Sequence, residues 1–182
     1  ASLGLGVTRG SEEDVLGRFH QAAREFDADV CVRVSADSPL IDPDVCDLAV
    51  EAFHRAGPPV DYASNKLDPS FPLGLDVEVF SREALDRAAR DASELFERSH
   101  VTVYMYQHPE LFSLLPVTTG RNLHSWRWTV DTAEDIAFVR EVFSRLDGRN
   151  DFSWLDVVRL IEAEPGLAAI NSGIVPRMLE EG

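Results

Sequence analysis

Two acidic residues stand just beyond apolar, strand-like runs, and both are of the type that holds a hard metal ion. Asp37 follows Val30-Cys31-Val32-Arg33-Val34 in the segment Ser35-Ala36-Asp37-Ser38-Pro39. Asp131 follows Trp126-Arg127-Trp128-Thr129-Val130. In open α/β sheets, ligands bind outside the carboxyl ends of the strands. Magnesium takes one or two carboxylates together with phosphate oxygens and water. Read as a pair, Asp37 and Asp131 supply both protein ligands of a magnesium ion carrying a triphosphate. Each also has a structural alternative. Asp37 can cap the Ser38-Pro39 turn, and Asp131 can be the N-cap of a following helix with Glu134 completing a capping box.

A third group lies in Leu75-Asp76-Val77-Glu78-Val79-Phe80, whose alternation puts Asp76 and Glu78 on one face. Carboxylates flanking a cleft accept hydrogen bonds from sugar hydroxyls; on an open sheet they are a solvated face. Gly74, just before them, permits close backbone approach. His100, within Glu97-Arg98-Ser99-His100-Val101-Thr102, reads as a base, a sugar contact or a structural group. His20, His54, His108 and His124 show no metal-ligand spacing with it or with one another, which argues against zinc. Cys31 and Cys46 have no CxxC partner and read as small buried residues of a reduced, cytoplasmic protein.

The elements that must position these groups alternate between helical and strand periods. Val15, Leu16, Phe19, Ala22, Ala23 and Phe26 predict a helix over 12–26 with Ser11 as N-cap. Further helices are predicted at 43–54, with Pro43 in its first turn, at 82–91 capped by Ser81, and at 93–107, 132–146 and 153–163. Strands are predicted at 29–34, near 60–63, and at 75–80, 112–117 and 125–130, with 64–74 a loop rich in turn residues. The alternation predicts one α/β domain over 1–182 with a mixed, mostly parallel sheet, and 164–182 as a C-terminal arm.

The chain of 182 residues suffices for one core, with 45% hydrophobic and 27% charged residues. No apolar run approaches the roughly 20 residues of a membrane helix. A net charge of −15 without a basic run predicts no nucleic-acid or anionic-membrane partner. The one lysine is Lys66; every other fixed cation is arginine.

In order, the segments resemble the cytidylyltransferases of spore coat polysaccharide biosynthesis, within the CMP-sugar synthetase superfamily. The resemblance rests on Arg9-Gly10-Ser11 with Asp14-Val15-Leu16 and Arg18, on Asp37-Ser38-Pro39-Leu40-Ile41-Asp42-Pro43, and on Asp61-Tyr62 with Ser64-Asn65. It continues through Gly74-Leu75-Asp76-Val77-Glu78-Val79-Phe80, His100-Val101-Thr102, and Arg127-Trp128-Thr129-Val130-Asp131 with Glu134-Asp135.

The resemblance implies a Rossmann-like nucleotide-diphospho-sugar transferase fold and magnesium-dependent transfer of CMP from CTP to a sugar acid, releasing pyrophosphate. It implies Asp37 and Asp131 as magnesium carboxylates and Arg33 at the nucleotide or phosphate. Asn65, Gly74, Asp76, Glu78, His100 and Arg127 are implied on the substrate side. A homodimer is left open. A glycosyltransferase of related fold and a non-catalytic sugar- or protein-binding domain are the competing readings.

Three departures stand out. Family members open with a strand and a basic, glycine-containing phosphate loop, and nothing before Arg9 matches it. The chain is therefore expected to be truncated, marginal and inactive alone, with Val30, Val32 and Val34 lining the place of a first strand. Ala36 stands where glycine is usual. Leu73 and Ser99 stand where polar or acidic residues are common.

Overall fold

The computed structural model describes residues 4–57 and 59–175. The first helix, α1, runs Val15–Glu25 and is capped by Asp14, whose carboxylate accepts from the Gly17 N–H. Ser11, the expected cap, instead accepts from the Glu13 and Asp14 N–H groups one turn earlier. Strand β1 (Val30–Arg33) leads through the Asp37 loop to α2 (Pro43–Arg55). Val45, Ala49 and Phe53 recur every fourth residue of α2 and form its buried stripe. Strands β2 (Tyr62–Ser64) and β3 (Glu78–Ser81) follow, then α3 (Arg82–Asp91), capped by Ser81 as expected.

The predicted 93–107 helix is two short helices, α4 (Leu95–Ser99) and α5 (Val103–Gln107). The break is at Val101, whose φ of 60° no right-handed helix accommodates. Strand β4 (Leu114–Pro116), α6 (Ala133–Arg145), α7 (Trp154–Ala163) and α8 (Gly166–Ala169) complete the described chain.

The four strands order β1-β3-β2-β4. The sheet is mixed, as expected. However, β3 pairs antiparallel with both β1 and β2, and only β2 with β4 is parallel. The parallel share is therefore smaller than the βα alternation suggests. The loop between β2 and β3 contains no crossover helix, so β3 returns antiparallel between its neighbours.

Strand alternation divides the core. Ala63 and Val79 face Val45, Phe138 and Val158, while Tyr62 and Phe80 face Leu16, Leu85 and Met105. Helices thus cover both faces of the sheet, the arrangement of a layered α/β domain. Strand β1 is at the sheet edge. Val30 packs against the core, but Val32 and Val34 are each 46% exposed. The predicted 125–130 strand is not a strand of the sheet: Ser125 lies in a turn, and the segment's one β-bridge among the described residues is Leu73 to Arg127. Among the described residues no helix is long and apolar enough to cross a membrane. Of the expected arm, 164–175 is described and 176–182 lies outside the described residues.

Candidate active site

Bonds to the Asp37 carbonyl bring the two acids to one cleft, although Asp131 follows an irregular segment and not a sheet strand as expected. The carbonyl oxygen of Asp37 accepts from the Val130 N–H at 2.8 Å and from the Thr129 hydroxyl at 3.2 Å. This ties the loop after β1 to the segment preceding Asp131, and both acids line one cleft of about 480 Å³. The cap alternative for Asp131 goes to its neighbour. Thr132 is the N-cap of α6, and Asp135, not Glu134, completes the capping box. Asp131 therefore keeps its carboxylate at the cleft, with Oδ2 engaged by Arg127. Asp37 is exposed, and Oδ1 accepts from the Ser38 hydroxyl, so it serves the turn and the cleft at once.

Arg127 is held from behind. Its guanidinium forks onto the fully buried Asp135 at 2.9 and 3.0 Å. Burial alone raises the Asp135 carboxyl. The guanidinium, the Asp131 and Thr132 N–H groups and the Asn171 amide outweigh it and hold the carboxyl well below the usual carboxylate range. Asn171 also donates to the Arg127 carbonyl at 2.9 Å. The C-terminal segment is thereby fastened to the cleft wall, where Ile174 joins the lining. Asn171 and Ile174 carry no sequence signal at this distance along the chain.

Asp76, His100 and Arg127 line the same cleft as the acid pair. Lys66 does too, although sequence reasoning gave it no role; its one signal was being the lone lysine of an arginine-based chain.

Three other expected residues stand behind the wall. Glu78 is 1% exposed, with Oε1 accepting from the Tyr62 hydroxyl at 2.7 Å and the Thr102 hydroxyl at 2.5 Å. Its Oε2 takes the Arg33 guanidinium, so Arg33 answers a protein carboxylate, and neither residue lines the cleft. Burial pushes the Glu78 carboxyl up, but the Lys66 and Arg33 charges and the two hydroxyls win and leave it lowered. Asn65 is likewise buried and uses both ends of its amide on the backbone, donating to the Leu75 carbonyl and accepting from the Val77 N–H. It straightens the chain that presents Asp76. Gly74 does permit a close approach, but its neighbour is the backbone at Trp128 and Thr129.

Asp76 differs from Glu78 in having no hydrogen-bonded counter-ion among the described residues. Burial raises its carboxyl, the nearby Glu78 and Asp37 charges add to this, and Lys66 and Arg33 only partly offset it. Such perturbation in a cleft is characteristic of functional carboxylates. It also costs stability in a defined pH window. Below the ordinary value of 3.8 both folded and unfolded chains hold the proton. As pH rises past that value the unfolded chain ionises first, and stability falls until the folded carboxyl has ionised too. Asp76→Asn stays neutral throughout. It is expected to melt higher than the native protein near pH 7, by about 2–4 °C per kcal/mol recovered, and at the same temperature near pH 3. Equal melting temperatures near pH 7 would show the site to be relaxed around the charge.

The cytidylyltransferase family model matches residues 1–152. The chain belongs to the cytidylyltransferase family. It is 30% identical over 168 residues to the spore coat polysaccharide biosynthesis protein SpsF of Bacillus subtilis, across 91% of this chain and 68% of that protein. It is 27% identical over 165 residues to the 3-deoxy-manno-octulosonate cytidylyltransferase of Chlorobium phaeovibrioides, across 70% of this chain and 67% of that one. Among solved structures, a cytidylyltransferase from Leptospira borgpetersenii superposes with a TM-score of 0.87 at 26% identity, covering 97% of this chain and 73% of that one. Membership makes the chain a nucleotidyltransferase by family.

Proposed function

We propose that the protein transfers CMP from CTP to the anomeric hydroxyl of a sugar acid, with magnesium, in the synthesis of a surface or spore-coat polysaccharide. The observation that carries this reading is the convergence of Asp37 and Asp131 on the cleft that Asp76, His100 and Lys66 also line. The sugar hydroxyl oxygen forms a bond to the α-phosphorus while the bond to pyrophosphate breaks and the hydroxyl proton passes to water, so the step needs positioning and charge stabilisation but no protein nucleophile.

Asp37 and Asp131 are hard oxygen donors in one cleft. Among the described residues no cluster of three or more His, Cys, Asp or Glu side chains stands ready to cage a metal. Two carboxylates completed by phosphate oxygens and water is a donor set that fits magnesium. When bound, magnesium neutralises charge on the triphosphate. Arg127 orients Asp131, and Asp135 with Asn171 holds Arg127 in place. Asp76 and His100 form the sugar-facing wall, with Glu78 and Asn65 setting the wall from behind. Lys66 supplies a positive charge beside Asp76 and opposite to that of the anionic substrates.

Pyrophosphate release decides the reading. Each of the common nucleoside triphosphates is offered with Mg2+ and with 3-deoxy-manno-octulosonate or N-acetylneuraminate. The expected result is release that requires CTP, a sugar acid and the metal together. Binding of intact nucleotide sugars without release from CTP would favour a glycosyltransferase. Binding of sugar alone would favour a non-catalytic domain.

A further inference from the structure

The turn His100-Val101-Thr102 is held in a conformation that its sequence does not favour. Val101 is wholly buried and β-branched, yet takes φ 60°. The Thr102 N–H donates to the His100 carbonyl at 2.6 Å, closing the strained form of γ-turn. Strain of this kind persists only where the surroundings over-determine it. Here both ends are fastened. The His100 N–H bonds to the Phe96 carbonyl at the end of α4. The Thr102 hydroxyl bonds to Glu78 Oε1 at 2.5 Å, and Glu78 is pinned by Tyr62 and Arg33. The turn sets His100 in the cleft wall with Nε2 buried and without a hydrogen-bond partner among the described residues. A buried imidazole nitrogen left unsatisfied is costly unless a ligand completes it.

We propose that Thr102 is a positioning residue for the acceptor sugar: its bond to Glu78 holds the strained turn that reserves His100 Nε2 for a sugar oxygen. The proposal rests on the reading of this wall as the sugar-acid site. Thr102 does not line the cleft, so it acts only through the turn.

The test is calorimetric binding of 3-deoxy-manno-octulosonate and N-acetylneuraminate, and separately of CTP, each with Mg2+. The variants are Thr102→Val, Thr102→Ser, His100→Ala and the double variant Thr102→Val with His100→Ala. Thr102→Val is expected to weaken the better-bound sugar acid about tenfold, as for loss of one hydrogen bond, with CTP affinity unchanged. Thr102→Ser keeps the hydroxyl and is expected to keep native affinity. The double variant is expected to be no weaker than His100→Ala, because the two residues act on one contact. Should Thr102→Val not fold, Thr102→Ser against Thr102→Ala makes the same comparison.

Additive losses, or equal losses for sugar and CTP, would overturn the proposal and leave Thr102 a structural residue. Weakening by His100→Ala without weakening by Thr102→Val would overturn it while sparing the sugar site. Native sugar affinity in His100→Ala would overturn both.

Discussion

Asp37→Asn is expected to lower CMP transfer by about a thousandfold, the loss of several kcal/mol of charge stabilisation on the triphosphate, while leaving the fold intact. The separation of the two effects follows from how the residue is built in. Its backbone carbonyl, not its side chain, ties the two cleft loops through Val130 and Thr129, and asparagine keeps that carbonyl. The side chain is exposed, and exposed substitutions commonly change stability by less than about 0.5 kcal/mol. Pyrophosphate release, melting temperature and Mn2+ binding by electron paramagnetic resonance together check this. Asp37→Asn should lose the metal signal in the presence of CTP and melt with the native protein. Undiminished transfer, or undiminished Mn2+ affinity, would remove Asp37 from the metal site.

Gly74→Ala is expected to be the most destabilising single methyl in the described chain. The backbone at Gly74 has φ 104°, which side-chain-bearing residues rarely adopt. A Cβ there would stand 2.6 Å from the Thr129 nitrogen and 2.7 Å from the Trp128 carbonyl carbon, both backbone atoms with no rotamer to yield. Backbone strain and overpacking each cost about 1–3 kcal/mol, so a loss of about 3–5 kcal/mol is expected from a domain whose margin is about 5–15 kcal/mol. The melting temperature should fall by about 10 °C or more. Gly120→Ala, where nothing lies within 4 Å, is the matched control and should melt within a degree or two of the native protein. A Gly74→Ala protein that melts like this control would mean that the 73–74 and 127–129 segments part at little cost. The segment leading to Asp131 would then be held more loosely than the Leu73 bonds to Trp126 and Trp128 imply.

What the chain declares locally is what short-range forces govern. Apolar residues at helical spacing marked α1, because a helix must bury one stripe. Ser81 marked the start of α3, because its hydroxyl reaches a nearby N–H. The same locality made the acids after the apolar runs legible as site candidates, and the order of motifs made the family legible.

Tertiary structure decided depth and partnership, which depend on residues far away in the chain. Asp76 and Glu78 share a face by alternation, yet one lines the cleft and the other is sealed beneath Tyr62, Thr102 and Arg33. Asn65 reads as a sugar ligand from its motif, but its amide fits the backbone of 75–77. The 93–107 segment reads as one helix, but the Glu78–Thr102 bond and the cap at His100 fix a turn through Val101 against its own preference. Lys66, Asn171 and Ile174 reach the cleft only because the chain folds back on itself. Periodicity reports which side of an element is apolar. How far that side lies from solvent, and which charge waits there, is set by packing between elements.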